Sequence, residues 1–389
     1  MIKLYNTLSR KKEVFRPGIN EGALPWEMNW YQLRNNEILG LKGNLLRELI
    51  NLGIKRAGNL NQLSKSIKMS NGQLWFSLNK PPKLVSVKKL KRLAFYLGIK
   101  YDYFNNKISE IRKGKIVSIK NPKFPIDLAT KEGATILGNI VSDGCIYIDK
   151  KARNVMRTKY AAGTREELKN FINNINKVFG EVHFQKEEIR NIIYLKIGSS
   201  VIAESLCKVG APVGNKSELD CGVPWLIKQG SEELKVAYLR AAFDDEGCPA
   251  GGSGFPYLTL TRIIHINNYL TLTQKKSLNN LEKSMVKRKF PSGYEMKSIG
   301  LTKLKQLSFL FKIKPKILEK ESEMLTSLGI GNRIRNDKLS LTKEGKYSIS
   351  SELRIYKKAD VLNFYKKINF GLIRKKGKLE KFLINRNWI

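Results

Sequence analysis

Cysteine, histidine and long apolar runs are scarce in this sequence. It has four cysteines and two histidines among 389 residues, with no Cys-x-x-Cys pair. Residues so few and scattered predict neither a disulfide framework nor a zinc site. No apolar run approaches the roughly 20 residues that a membrane-spanning helix needs, and the N-terminus, MIKLYNTLSRKKEVF, lacks the apolar segment of a signal peptide. These absences exclude a disulfide-stapled secreted domain and a membrane protein, and they predict a cytoplasmic, reduced protein.

Acidic residues are also few. The chain has 34 Asp and Glu against 72 Lys and Arg, which gives a formal net charge of +38. A surface this basic attracts polyanions, and nucleic acid leads the candidates because neutralising its phosphates releases condensed counterions. Ribosome association, a role at a membrane surface and a merely lysine-rich composition are the alternatives. We expect a nucleic-acid partner.

The length and the 42% hydrophobic content allow two or three domains with cores of their own. Residues 1–42 predict an irregular N-terminal arm, and residues 43–104 predict a helical domain. A polar, basic stretch with prolines, 105–125, predicts a linker. Beyond it, strand-like and helix-like segments alternate to the end of the chain, which predicts a mixed α+β region.

The helical region contains two short helices joined by a tight turn. Apolar residues lie on one face of the first helix, and a serine is placed to cap the second. The pair resembles the helix-turn-helix of phage-repressor-type DNA binders, although Lys68 occupies the turn position where glycine is usual. The resemblance implies DNA contacts from the start of the second helix, by Asn71 and Gln73. The alternative is a small helical bundle without nucleic-acid contacts.

Two apolar helices end in an acid–glycine pair. The first, in ATILGNIVSDGCIYI, ends at Asp143-Gly144, and the second, in YLRAAFDDEGCPAGG, ends at Glu246-Gly247. The acids are 246 − 143 = 103 residues apart, a length that suits one small α/β repeat. Carboxylates are disfavoured at the C-terminus of a helix because they face the negative end of its dipole. Two such violations, one repeat length apart, indicate a functional site.

Small residues would let the two helices pack side by side. Gly138 in the first helix, and Ala241 and Ala242 in the second, leave room for a close contact. That contact would bring Asp143 and Glu246 together at one end, where the two carboxylates would share a proton or bind a cation. Hard oxygen ligands suit Mg²⁺, with Mn²⁺ as the second candidate. The alternative is two helix ends with solvated acids, and spacing alone leaves open which of the three acids in the second motif points inward.

The two motifs resemble the signature of the LAGLIDADG homing endonucleases, in the single-chain form with two copies. The copies here are ILGNIVSDG, residues 136–144, and LRAAFDDEG, residues 239–247. The resemblance implies an α+β fold of two pseudo-symmetric αββαββα repeats, 126–228 and 229–389. A small all-α helix-turn-helix domain would precede them.

The resemblance also implies roles for individual residues. Asp143 and Glu246 would be the catalytic acids that hold the metal, whereas Asp244 falls on an internal acid of the signature that is usually structural. The family uses a lysine just after the closing helix of each repeat, near the metal. The matching residues are Lys216 in the first repeat and Lys375, or its neighbour Lys376, in the second.

Basic and polar residues along the predicted strands would contact DNA, because in this family the strands form a basic saddle in the major groove. A solvated outer face is the alternative for these charges. The second repeat is long, so we expect an insertion within 276–318. The segment KPKILEKESEMLTSLGIGNRI is the best candidate for the middle helix of the second repeat. The expected DNA contacts are Lys151, Arg153, Arg157 and Lys159 in the first repeat and Gln274 and Lys275, at a strand end, in the second.

The function that the resemblance implies, in agreement with the charge and the paired acids, is a site-specific DNA endonuclease. It would act as a monomer with internal pseudo-twofold symmetry and make a metal-dependent, staggered break in double-stranded DNA by phosphodiester hydrolysis. A catalytically silent nucleic-acid binder, either a transcriptional regulator or an RNA splicing factor, is the alternative on the same fold. An enzyme that acts on structured RNA is a third hypothesis.

Overall fold

The computed structural model describes residues 3–6, 11–14, 24–79, 84–114, 116–152, 154–190, 192–250, 256–284, 294–295, 308–341 and 345–389. The prediction for Arg153 lies outside these ranges, and the predicted insertion is described only at 276–284, 294–295 and 308–318. None of the helices formed by the described residues is long and apolar enough to cross a bilayer.

Among the described residues, the N-terminal part of the chain contains four α-helices and four strands of a five-stranded sheet, whose fifth strand comes from the first repeat. Its elements are β1 (Lys3–Asn6), β2 (Lys11–Val14), β3 (Glu27–Met28), β4 (Ile38–Leu41), α1 (Leu45–Ala57), α2 (Leu60–Ile67), α3 (Asn71–Asn79), β5 (Leu84–Ser86), α4 (Val87–Leu97), β6 (Ile108–Lys113), β7 (Ile116–Lys120) and β8 (Ile126–Asp127). Trp30 is fully buried and makes edge contacts with the rings of Tyr101 and Phe104. Residues from the predicted arm therefore belong to this core.

The stretch predicted as a linker, 105–125, instead contains β6 and β7. They pair with each other, and β6 also pairs with β4. Ile108, Ile111 and Ile119 are buried in the core, so these strands pack against it although most of their other residues are polar. A register shift beside Ile111 interrupts the two-residue alternation that would have revealed the strands.

The first repeat has the predicted order αββαββα, with a two-residue strand and two short helices added. Its elements are α5 (Lys131–Val141), β9 (Gly144–Asp149), β10 (Val155–Ala162), α6 (Arg165–Phe179), β11 (Glu181–Val182), β12 (Phe184–Ile189), β13 (Ile192–Ile197), α7 (Ser200–Lys208), α8 (Lys216–Leu219) and α9 (Trp225–Gln229). The sheet order is β12-β13-β10-β9, and β11 joins the edge of the N-terminal sheet at β7. α6 begins at a reciprocal capping box between Thr164 and Glu167.

The second repeat has the same order with an addition after its second strand. Its elements are α10 (Glu232–Glu246), β14 (Gly247–Ala250), β15 (Tyr257–His265), α11 (Leu272–Ser284), β16 (Tyr294–Glu295), α12 (Lys316–Ser327), β17 (Arg333–Leu341), β18 (Tyr347–Ile355), α13 (Lys358–Lys367) and α14 (Ile373–Ile384). The sheet order β14-β15-β18-β17-β16 has the connectivity of the first repeat. The α+β fold of two αββαββα repeats is confirmed, and α12 is the predicted middle helix.

Candidate metal and nucleic-acid site

The two motif helices, α5 and α10, pack against each other through small residues. A Cβ atom on Gly138 would lie 2.7 Å from both the Cβ of Ala241 and the carbonyl oxygen of Tyr238. Ala242 is fully buried in the same helix. Only glycine therefore permits this approach at position 138, and the approach brings the two helix ends close together.

A glycine fixes the point where each motif turns from helix to strand. A Cβ on Gly144 would lie 2.7 Å from the backbone of α5, and one on Gly247 would lie 2.6 Å from the backbone of α10. Any other residue would collide with the helix that has just ended. The glycines thus hold the preceding acids, Asp143 and Glu246, at the C-terminal ends of their helices.

Asp143 and Glu246 lie near enough to affect each other. Loss of hydration raises the pKa of Asp143 to about 6, and the negative charge of Glu246 contributes further to the rise, against opposing effects of Lys216 and Arg262. A pKa raised in this way means that the surrounding cations only partly compensate the ionised carboxylate. Asp143 is therefore suited to receive an additional cation.

A lysine caps the C-terminal end of each motif helix. The carbonyl oxygens in contact with Nζ are those of Ile140, Val141, Ser142 and Gly144 for Lys216, and those of Phe243, Asp244, Asp245 and Gly247 for Lys375. Adding 103 to the residue numbers of the first set of carbonyl groups gives the second set, and the same addition relates Asp143 to Glu246. Burial lowers the pKa of both lysines. Their charges offset the helix dipoles at the ends where the acids stand.

A buried ion pair lies behind Glu246. Arg262 on β15 is 5% exposed and bonds the fully buried carboxylate of Glu321 at 3.1 and 2.5 Å. The same guanidinium lies 2.9 Å from the carboxylate of Glu246 and donates to the hydroxyl of Ser142 at 3.2 Å. The hydroxyl of Tyr238 donates to Glu321 at 3.2 Å. Arg262 therefore links the second acid to the core of its own repeat and to the first motif.

Sequence reasoning missed Arg262 and Glu321, although both carry a signal. Leu258, Leu260 and Ile264 are buried along β15, and Arg262 occupies the same phase of the strand. Glu321 is three or four residues from each of the other buried residues of α12. Opposite charges at the buried positions of two elements in one repeat predict an internal ion pair.

The other two acids of the second motif are held by the protein. The carboxylate of Asp244 accepts hydrogen bonds from the backbone N–H groups of Gly371 at 2.9 Å and Leu372 at 3.2 Å. The carboxylate of Asp245 accepts from the hydroxyl of Tyr160 at 2.9 Å and the amide of Asn139 at 3.1 Å. Both acids serve to join elements, which leaves the last acid of the run as the partner of Asp143.

The acids fit a divalent cation that is shared with a substrate. Among the described residues, no three His, Cys, Asp or Glu side chains gather into a ready-made metal cage. Mg²⁺ is commonly held by one or two carboxylates together with substrate phosphates and water. Asp143 and Glu246 match that donor set, and Glu246 lines a cavity of about 300 Å³ with Lys216 and Arg262.

The predicted saddle residues of the first repeat lie around β10. Arg157 and Lys159 are on its outward face, and Lys151 lies in the 3₁₀ turn that leads to it. Arg157 pairs with Asp149 at 2.8 Å, and the Nζ of Lys159 lies 3.8 Å from the centre of the Tyr194 ring. Part of the positive charge on this face is therefore already engaged within the protein.

The two residues predicted at a strand end of the second repeat are helical. Gln274 and Lys275 lie in the first turn of α11. The backbone N–H of Thr271 donates to the side chain of Gln274 at 2.9 Å, and the N–H of Gln274 donates to the hydroxyl of Thr271 at 3.2 Å. This reciprocal cap starts a helix and outweighs the strand preference of the sequence YLTLT, residues 269–273, within which the helix begins.

The predicted DNA-reading residues of the helical domain begin α3. The side-chain amide of Asn71 donates to Asn61 on α2. The side-chain oxygen of Gln73 accepts a hydrogen bond of 2.7 Å from the Nζ of Lys89 on α4. Both polar groups are thus engaged with neighbouring helices.

Comparisons with known structures find distant similarities. No family model and no curated protein matches the chain. The solved structure of I-DmoI in complex with DNA and Ca is 14% identical, with a TM-score of 0.36, over 66% of this chain and 100% of that one. Full-length DUF199/WhiA from Thermatoga maritima is 13% identical, with a TM-score of 0.34, over 67% of this chain and 64% of that one. Similarity this low leaves the chemistry to be inferred from the residues of the site.

Proposed function

We propose that this chain is a site-specific, metal-dependent DNA endonuclease. The observation that carries the proposal is the pair of acids, Asp143 and Glu246, at adjacent helix ends that are related by a 103-residue shift and matched in their lysine contacts. Two related half-sites in one chain suit a duplex whose two strands are related by an approximate twofold axis. A single chain then provides both halves.

The acids, the lysines, the two sheets and the helices α2 and α3 would each have a separate role. Asp143 and Glu246 would hold Mg²⁺ or Mn²⁺, which when bound supplies charge neutralisation at a phosphate and lowers the pKa of water. Lys216 and Lys375 keep the two motif turns rigid through their backbone contacts. The outward faces of the two sheets would orient the duplex, and α2 and α3 would add contacts with the same or another DNA segment.

The test is cleavage of DNA from the protein's own gene locus by purified protein with Mg²⁺. The wild type should give discrete double-strand breaks, and an Asp143→Asn/Glu246→Gln double variant should give none. Glu233→Gln is the matched control, because this exposed acid is at the opposite end of α10 and its loss should leave cleavage unchanged. Cleavage that survives in the double variant would refute the assignment of the acids.

A nucleic-acid binder without cleavage is the second candidate, and one contact favours it. The 2.9 Å pairing of Arg262 with Glu246 compensates this carboxylate without a metal. A regulator or RNA-processing factor would bind its target equally well with and without Mg²⁺ or Mn²⁺ and would leave it intact. The same experiment with structured RNA separates an RNA nuclease from both.

A further inference from the structure

The outer face of α4 carries a dense group of cations around an exposed phenyl ring. Its buried side consists of Val87, Leu90, Leu93 and Ala94. The opposite side presents Lys88, Lys91 and Arg92, followed by Phe95, which is 83% exposed. An exposed ring beside several cations offers a partner both an apolar stacking surface and positive charge.

Acidic residues are scarce in the surrounding sequence, although Asp102 directly follows Tyr101 and Glu37 lies two residues from Asn35. Residues 49–101 contain eleven Lys and Arg and no Asp or Glu. A face that needed cations only for solubility would normally have acids among them, because mixed charge reduces self-repulsion. This segment instead presents one sign of charge over several helices, as a surface for a polyanion does.

A shallow cavity of about 280 Å³ lies on this face. Lys88, Lys91, Arg92 and Phe95 line one side of it, and Tyr101 and Asn35 complete it. The Tyr101 ring packs against the rings of Trp30, at 5.5 Å, and Tyr31, at 5.1 Å, so it forms a fixed wall. Lys91 and Arg92 each donate one hydrogen bond to a backbone carbonyl, and both retain further N–H donors.

Unpaired bases match this face better than a duplex does. In a duplex the bases are stacked on each other, so a ring on a helix surface meets chiefly sugars, phosphates and methyl groups. Single strands offer free base faces, and proteins bind them with cations along the backbone and aromatic rings under the bases. The polar side chains of Asn71 and Gln73 are engaged with neighbouring helices, whereas the ring of Phe95 is open to a partner.

We propose that the face formed by Lys88, Lys91, Arg92, Phe95 and Tyr101 binds single-stranded nucleic acid. An unpaired base stacks on Phe95, and the three cations hold the adjacent phosphates. This site is separate from the acids of the two motifs and does not depend on cleavage.

The first test is binding of the full-length protein to short fluorescein-labelled oligonucleotides of thymidine and of uridine, measured by fluorescence anisotropy. Phe95→Ala should weaken binding of the single strands roughly five- to hundred-fold, with the salt dependence unchanged and binding to a blunt duplex preserved. Arg92→Gln should instead lower the slope of log K against log salt by about 0.7. Leu52→Ala is the matched control, since Leu52 on α1 is also exposed, at 54%.

Photo-cross-linking gives a direct readout that other basic surfaces of the protein cannot mask. An oligonucleotide with 5-iodouracil should cross-link to the α4 peptide that carries Phe95, and Phe95→Ala should abolish that adduct. The proposal is overturned if no adduct forms on α4 and the single-strand affinity of Phe95→Ala is unchanged. Equal losses for duplex and single strand would overturn it in favour of a duplex site, and loss of binding to phosphatidylserine vesicles alone would assign the face to a membrane. The thymidine and uridine arms distinguish DNA from RNA.

Discussion

Replacing Arg262 by methionine tests the buried ion pair behind the second acid. The side chain of Arg262 is 5% exposed and that of Glu321 is fully buried. The substitution would leave Glu321 ionised in the core with only the hydroxyl of Tyr238 as a partner, and such an uncompensated charge costs about 3–5 kcal/mol of unfolding free energy. Glu246 is 28% exposed, so loss of its own contact adds less than about 1 kcal/mol.

A double-mutant cycle separates the pair from its surroundings. Arg262→Met and Glu321→Leu should each destabilise strongly, whereas the double variant should recover most of the loss, because an apolar pair replaces the buried ions at little cost. Urea unfolding followed by circular dichroism gives the four free energies, and we expect a coupling above about 2 kcal/mol. Single variants within about 1 kcal/mol of wild type, or additive losses, would refute the reasoning.

Three further predictions concern the motifs. Gly138→Ala should cost about 1–3 kcal/mol because its Cβ meets the facing helix at 2.7 Å, whereas Gly72→Ala, with no atom within 4 Å of the new Cβ, should be neutral or stabilising; thermal unfolding compares them. Asp143→Asn should stabilise the metal-free protein above pH 6, by about 1 kcal/mol after allowing for solvent exposure. The reason is that a carboxyl whose pKa is raised in the folded state, here to about 6, loses its favourable contribution to stability as the pH rises through that value. The gain should therefore vanish below pH 4, where the carboxyl is protonated in both states. Lys216→Met and Lys375→Met should each cost about 1–3 kcal/mol and agree closely in melting temperature, since the two lysines contact matching carbonyl groups; unequal losses would contradict their equivalence.

The sequence carries enough information to predict the framework of the repeats. The acid–glycine ends of α5 and α10 and the amphipathic pattern of α6 follow from local rules about helix termini and periodicity. These local features depend on residues that are near in sequence, so they can be recognised without knowing the fold. The order of the strands is instead implied by the resemblance of the two motifs to the LAGLIDADG signature.

Features that depend on distant residues were not predictable in the same way. β6 and β7 form strands because Ile108, Ile111 and Ile119 pack into a core that other segments of the chain build. Their sequences lack a regular alternation of apolar and polar residues. The start of α11 was misread because strand-forming residues precede the capping pair of Thr271 and Gln274. A rule for local caps would have corrected the second error, whereas the first needs tertiary contacts.

The two half-sites are alike in backbone and unlike in charge. Gly144 pairs with Tyr160 in the first sheet, as Gly247 pairs with Leu260 in the second, so Arg262 occupies the place that Ala162 takes in the first repeat. The first motif therefore has no arginine of its own at this position, and its acid is compensated only in part. The lysines keep the two helix ends equivalent, while the arginine makes the carboxylate of the second motif the less available one for a cation.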